Sequence, residues 1–182
     1  MFIQTEQTPN PATLKFLPGC AVMETGTANF TDAASAAARS PLAERLFGLS
    51  EVDGVFLGGD FITVTKTGDA DWFQLKPAVL AAIMEHFTSG QPVVTGAAVT
   101  ATAEGEDDEV VSAIKELLET RVRPAVAQDG GDIIFEDFED GIVYLHMQGS
   151  CSGCPSSTAT LKAGIENMLR HYIPEVVEVR AV

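Results

Sequence analysis

The chain has 182 residues, of which 46% are hydrophobic, and its formal net charge is −15. This length allows one ordinary domain or two small ones. So acidic a chain, with no basic stripe, excludes nucleic acid and anionic membranes as expected partners. No apolar run approaches the roughly 20 residues of a membrane helix. Met1–Thr5 lacks the basic start of a signal peptide, so we expect a soluble intracellular protein.

The first part of the chain predicts a small α+β domain over residues 1–94. Extended segments are expected at Met1–Thr5 and Thr13–Phe16, and another strand or a hairpin is expected within Val22–Phe30. Prolines at positions 9 and 11 exclude a helix between the first two. Ser40 followed by Pro41 indicates the capped start of a short helix.

A hairpin and a long helix are predicted to complete this domain. Gly58-Gly59-Asp60 is typical of the tight turn between two strands, which we place at Val52–Leu57 and Phe61–Lys66. Apolar residues then recur at helical spacing, and Gly90 lies just past the predicted end of the helix. These apolar residues are Val79, Leu80, Ile83, Met84 and Phe87.

Residues 95–106, with the sequence TGAAVTATAEGE, are small or polar and predict a flexible linker. The composition changes again after this segment, so we place a second small domain of mixed α and β structure at residues 107–182. The expected fold class is therefore α+β, with two small domains joined by a linker.

The second domain is predicted to have the element order α-β-β-α-β. An amphipathic helix is expected from about Asp107 until Pro124 breaks or restarts it. The sequence DGGD at Asp129–Asp132 predicts a turn, followed by strands at Ile133–Asp137 and Ile142–Met147. A long helix is expected from Pro155 until Pro174, followed by the closing strand. That strand is expected at Val176–Val182.

Two thiols, Cys151 and Cys154, lie two residues apart in the stretch QGSCSGCPSST. This spacing lets both sulfurs reach one metal ion or one edge of a cluster. Because both precede the helix start at Pro155, we expect the helix dipole to lower their thiol pKa values. The Ser- and Gly-rich surroundings do not predict a hydrophobic core at this position.

The residues alone leave several interpretations of this pair open. They are two buried cysteines without function, a dithiol that cycles through a disulfide, a zinc site and an iron–sulfur site. A zinc ion or a cluster needs more ligands than this loop supplies. Since the chain has three cysteines, the count is odd and argues against a disulfide framework.

Other ligands within the chain are not indicated by the sequence. Cys20 is the remaining thiol and lies in the first domain. His86, His146 and His171 lack ligand spacing to the pair, and ordinary structural roles are expected for them. A second copy of the loop is the simplest completion. A two-fold axis would bring four thiolates around one centre at an isologous interface.

The sequence resembles the Nfu family of iron–sulfur proteins over nearly its whole length apart from the linker. In the second domain, the stretches IKELLETRVRPAVAQDGGDI and GIVYLHMQGSCSGCPSSTATLK resemble the NifU-like C-terminal domain. In the first domain, MFIQTEQTPNPATLKFLPG and KPAVLAAIMEHFTSGQPVV resemble the Nfu N-terminal domain.

The resemblance implies a carrier without turnover chemistry of its own, so the chain is not expected to be an enzyme. It implies a [4Fe–4S] cluster, with [2Fe–2S] as the alternative, bound between two subunits through Cys151 and Cys154. It also implies transfer to apo-proteins such as lipoyl synthase or aconitase-type enzymes. The expected compartment is the cytoplasm for a bacterial source, or the mitochondrial matrix for a eukaryotic protein whose transit peptide has been removed.

Overall fold

The computed structural model describes residues 1–95, 108–152 and 155–182. The chain divides into two compact units, Met1–Thr100 and Ala101–Val182. Both mix helices with a β-sheet, which confirms the predicted fold class. Residues 96–107, which include all of the predicted linker at 95–106 except Thr95, lie outside the described residues, so the predicted domain boundaries stay predictions. No helix in the described ranges is long and apolar enough to cross a membrane.

The first unit is built on a five-stranded antiparallel sheet with the strand order β1-β2-β5-β4-β3. Its strands are β1 (Gln4–Gln7), β2 (Thr13–Leu17), β3 (Ala28–Phe30), β4 (Val52–Leu57) and β5 (Ile62–Lys66). Its helices are α1 (Ala33–Arg39), α2 (Pro41–Phe47) and α3 (Trp72–Ser89). Large side chains from both layers, including Phe16, Leu46 and Ile83, are fully buried between the helices and the sheet.

The predicted cap of the second helix is confirmed. The Ser40 hydroxyl accepts a hydrogen bond from the Ala43 backbone N–H at 3.0 Å and donates one to the Val93 carbonyl at 2.5 Å. The helix α1 was not predicted. Of the strand or hairpin expected within Val22–Phe30, the structure has the single short strand β3 at its end. The Val22 N–H instead donates to the Gly59 carbonyl at 2.8 Å, outside the strand ladder.

The second unit has the predicted element order, with its first helix divided into three parts. These are α4 (Glu109–Leu117), a π-helical turn (Leu118–Val122) and α5 (Arg123–Gln128). The strands β6 (Gly131–Glu139) and β7 (Ile142–Gly149), the helix α6 (Pro155–Tyr172) and the strand β8 (Glu178–Ala181) follow. β7 pairs antiparallel with β6 and parallel with β8.

The core of the second unit lies between this sheet and its helices. On β7, Val143, Leu145 and Met147 are buried while the side chains between them are half-buried, the alternation of a strand with one core-facing side. Ile165 and Leu169 supply the buried face of α6. Because β7 and β8 are parallel, α6 is the crossover that connects them. The cysteine loop therefore lies where a strand ends and its crossover helix begins.

Candidate metal centre

Cys151 lies in the loop between β7 and α6, and its side chain is buried. It is 6% exposed and belongs to the same buried cluster as Ile133 and Met147. Cysteine is often buried like a small apolar residue, and here it extends the hydrophobic core to the start of the loop. The expectation that the surroundings of the pair are not a core is wrong for Cys151.

Hydrogen bonds fix the loop on both sides of this cysteine. The Ser150 hydroxyl donates to the Asp129 carbonyl, and the Ser150 N–H donates to the Gly130 carbonyl at 3.2 Å. On the other side, the Thr158 hydroxyl in the first turn of α6 donates to the Cys151 carbonyl at 2.9 Å. The loop is thus attached both to the turn before β6 and to the helix that follows it.

Gly131, the first residue of β6, lies directly against the Cys151 sulfur. A β-carbon added at this glycine would lie 2.5 Å from Cys151 Sγ and 2.8 Å from the Gln148 carbonyl oxygen. Both distances are well below van der Waals contact. The position therefore has no room for a side chain while Cys151 keeps its place.

The next residue, Asp132, has a buried carboxylate that pairs with the half-buried Arg123. Asp132 is 3% exposed, and the Arg123 guanidinium donates to both of its carboxylate oxygens, from Nε and from Nη2, each at 2.8 Å. Arg123 also donates to Glu119 at 2.6 Å, and Asp132 Oδ1 accepts the Ile133 N–H at 2.8 Å. The hydrogen bond to Asp132 is the main reason that the pKa of Arg123 is raised. Such a two-point bond fixes orientation as well as distance.

Burial raises the pKa of the Cys151 thiol to about 11, and the charges of Asp129 and Asp132 add to this effect. A hydrogen bond with Ser150 acts in the opposite direction. The expectation that the helix dipole would lower the pKa of this thiol is wrong, because desolvation outweighs it. Cys151 is consequently a neutral thiol near pH 7, and a metal that binds it must displace a proton.

Cys154 lies outside the described residues, so its pairing with Cys151 stays a prediction. The arrangement around Cys151 nevertheless suits a metal ligand. Its backbone is held on both sides, and it has the small neighbours that a sulfur-bound centre requires.

The other cysteine and histidines of the chain belong to the first unit or have structural contacts in the second. Cys20 is exposed in the first unit, where His86 is fully buried. In the second unit, His146 Nδ1 lies 3.0 Å from the Val182 carbonyl oxygen, and the His171 ring packs edge-on against Tyr172 at 5.0 Å. Within residues 1–95, 108–152 and 155–182, no group of three or more His, Cys, Asp or Glu side chains could hold a metal ion.

Sequence reasoning identified the turn at DGGD but missed the pairing of Arg123 with Asp132. One signal was available, since an aspartate that opens a strand next to apolar residues requires a cationic partner once it is buried. Arginine is the residue best suited to bind a buried carboxylate at two points. The contact between Gly131 and the cysteine sulfur had no comparable signal in the sequence.

Two family models match the chain. The model described as "Scaffold protein Nfu/NifU N terminal" matches residues 3–90, and the model described as "NifU-like domain" matches residues 114–180. Together they cover most of both units.

Curated relatives match along the whole chain. A human protein named "NFU1 iron-sulfur cluster scaffold homolog, mitochondrial" is 58% identical over 184 residues, which cover 100% of this chain and 72% of that protein. "NifU-like protein 4, mitochondrial" of Arabidopsis thaliana is 56% identical over 97% of this chain and 64% of its own length. This chain thus spans about two thirds of the length of these relatives.

Among solved structures, the solution structure of a NifU-like protein from Saccharomyces cerevisiae is 23% identical, with a TM-score of 0.48. It covers 53% of this chain and 87% of that protein. The two family models and the identity with the human protein establish the assignment without it. This chain belongs to the Nfu family of iron–sulfur cluster scaffold proteins, with an Nfu-type N-terminal domain and a NifU-like domain in one polypeptide.

Proposed function

We propose that two copies of this chain hold one [4Fe–4S] cluster between them and pass it to apo iron–sulfur proteins. In each copy, Cys151 and Cys154 are the ligands. The observation that carries the proposal is the position of Cys151, fixed at the start of a crossover helix with Cys154 as its neighbouring thiol in the sequence. A [2Fe–2S] cluster is the alternative cargo for the same ligands.

Ligand counting supports a shared site. A cluster of either kind takes four protein ligands, usually cysteines, and the chain has three cysteines in all. Cys20 belongs to the other compact unit, which leaves the C-terminal unit with two thiols. A two-fold axis through the loop supplies the missing pair from the second chain.

The raised pKa of Cys151 suits a cluster that is released to another protein. Because its pKa lies well above neutral, the free thiol is favoured when the cluster leaves, and a proton competes with iron for the sulfur. In transfer, thiolates of the recipient replace Cys151 and Cys154 one after the other, and each released sulfur takes up a proton. The reaction is ligand exchange and requires no change in oxidation state.

The family assignment supports a proposal for the recipients and the compartment. We propose apo-enzymes of the lipoyl synthase or aconitase type as recipients. The relatives carry scaffold names and mitochondrial names, so we propose the mitochondrial matrix for a eukaryotic source and the cytoplasm for a bacterial one.

Single cysteine substitutions test the ligand assignment. We expect Cys151→Ser and Cys154→Ser to lose stable cluster binding, because each removes two of the four thiolates of the symmetric site. Cys20→Ser is the matched control and keeps it. The measurement is visible absorption and iron content after anaerobic reconstitution of the full-length proteins. Iron retained at the wild-type level in Cys154→Ser would overturn the shared-site proposal.

A further inference from the structure

We infer that Gly131 and the Arg123–Asp132 ion pair are positioning residues, which hold the Cys151 sulfur where it binds the cluster. The inference rests on the proposed function, in which Cys151 is a ligand. It adds that the lifetime of the bound cluster depends on Arg123, Asp132 and Gly131. None of these three is an iron ligand, and they act through their contacts with Cys151. This chain of contacts, Arg123–Asp132–Gly131–Cys151, is called the cysteine seat below.

Gly131 has no room for a side chain next to the Cys151 sulfur. The two adjacent glycines of the DGGD turn have different roles. Gly130 has a φ of 80°, which favours glycine for its backbone, whereas Gly131 is not among the residues of positive φ. Alanine at position 131 is therefore allowed by its backbone. It is excluded by the Cys151 sulfur at 2.5 Å and the Gln148 carbonyl at 2.8 Å from the added β-carbon.

The bond between Asp132 and Arg123 attaches the start of β6, and with it Gly131, to α5. Asp132 follows it directly and is held at two points by Arg123 at the start of α5. A planar guanidinium bound at two points fixes the carboxylate in both distance and direction. Glu119, bound to the remaining guanidinium nitrogen, fixes Arg123 in turn. A displacement of the start of β6 relative to α5 would consequently break this two-point bond and leave the buried Asp132 carboxylate without its cationic partner.

The cysteine loop is also attached to the start of β6 and to the turn before it. Gly131 pairs with Gly149 in the β6–β7 register, and Ser150 donates two hydrogen bonds to the turn before β6. The turn and the cysteine loop thus move together. A displacement at Arg123 is transmitted to the sulfur through Asp132 and Gly131, although Arg123 is not a ligand.

The experiment measures the half-life of the reconstituted cluster in the full-length protein when an iron chelator is added. Changes in residues that orient metal ligands typically cost 10- to 100-fold in metal affinity. We expect Gly131→Ala and Arg123→Lys to shorten the half-life on the order of tenfold. Lysine keeps the charge but binds as a single point, so it cannot reproduce the two-point bond.

Matched controls separate positioning from general destabilisation. Gly164→Ala changes a glycine of α6 with no atom within 4 Å of the added β-carbon, and Arg121→Lys makes the same exchange two residues before Arg123. Both controls should stay within about twofold of the wild-type half-life. Urea unfolding of the metal-free proteins is measured alongside, and half-lives are compared where each variant is fully folded. Half-lives of Gly131→Ala and Arg123→Lys that match the controls would overturn the inference.

A double-mutant cycle tests the contact without any cluster. The unfolding midpoint is measured for the metal-free wild type, Gly131→Ala, Cys151→Ala and the double variant. If the sulfur is what Gly131 must accommodate, Gly131→Ala lowers the midpoint less when Cys151 is already alanine. An equal loss in both backgrounds would overturn the seat. The Gln148 carbonyl limits the space in both backgrounds, so the cycle measures only the share of the loss that is due to the sulfur. If Gly131→Ala does not fold alone, its recovery in the Cys151→Ala background supports the seat; if neither folds, the half-life of the cluster in Arg123→Lys decides.

The two proposals fail in different ways. A wild-type protein that takes up no cluster overturns the proposed function, while the cycle still decides whether Gly131 fixes the Cys151 sulfur. A wild-type protein that binds the cluster, with both seat variants as durable as the controls, overturns only the positioning role.

Discussion

Cys151 is buried in the second unit, whereas Cys20 is exposed in the first. The thiolate is the form that attacks alkylating reagents, so both burial and a pKa of about 11 protect Cys151. This protection distinguishes a thiol held ready inside the protein from an activated redox thiol, whose pKa is lowered. The environment of Cys151 is therefore not the one expected for the dithiol interpretation.

This difference predicts the order of alkylation in the metal-free protein. With iodoacetamide at pH 7.5, we expect Cys151 to react at least about tenfold more slowly than Cys20. Peptide mass spectrometry at successive times gives both rates from one sample. In urea the two rates should become similar, which serves as the control. Equal rates in the native protein would show that Cys151 is not protected.

At this scale the sequence located the candidate ligands but not their environment. The spacing of Cys151 and Cys154 is visible in the sequence, and so is the helix start at Pro155. Burial of the sulfur depends on β6, whose pairing with β7 brings Gly131 against it. Because that contact joins residues 20 positions apart, local composition could not predict it, and the helix dipole alone gave the wrong direction for the pKa.

His86 on α3 is a titratable group of the first unit that is fully buried. A hydrogen bond with the Gln91 backbone acts to raise its pKa, but this effect is smaller than that of burial. Burial, and secondarily the charge of Arg45, lower the pKa of His86 below its usual 6.5. Below pH 6.5 the unfolded chain therefore binds a proton that the folded unit does not, and folding stability falls as the pH falls.

We predict that the first unit loses stability from pH 7.5 to pH 5.5, with His86 contributing at most about 1.4 kcal/mol per pH unit. Trp72, the single tryptophan of the chain, lies in α3 and reports unfolding of this unit by fluorescence. His86→Gln should flatten the dependence. The exposed residue His171 gives the control, since His171→Gln should keep the wild-type slope. A wild-type slope in His86→Gln would contradict the assignment.

Elements with caps or tight turns were predictable, and elements shaped by distant contacts were not. Ser40-Pro41 and Gly58-Gly59-Asp60 gave α2 and the β4–β5 hairpin because their signals are local. The helix α1 has the sequence AASAAAR, which lacks a periodic pattern of large apolar residues, so no helix was predicted there.

Near Pro124, the structure shows a form of helix interruption that the sequence did not specify. A break or restart was predicted, and the structure has a π-helical turn at Leu118–Val122 before α5 begins. Proline lacks an N–H and its ring collides with the carbonyl four residues earlier. The wider turn accommodates both, so the helical path continues to Arg123, the residue that binds Asp132.

At the scale of the whole molecule, we assign a different role to each of the two compact units. The C-terminal unit contains Cys151 and the cysteine seat, and we propose that the N-terminal unit binds recipients. The net charge of −15 favours recipients with basic patches and disfavours nucleic acid. Fold class and family were predicted correctly from the sequence. The number of subunits in the assembly depends on ligand counting rather than on any feature of one folded chain.

The central claim is that one chain supplies half of the ligands of the cluster. Anaerobic reconstitution, followed by light scattering on the eluted protein with iron and sulfide analysis of the same fractions, tests it most directly. A dimer with about four irons and four sulfides per two chains is the predicted result. A monomer that carries about four irons on a single chain would contradict it.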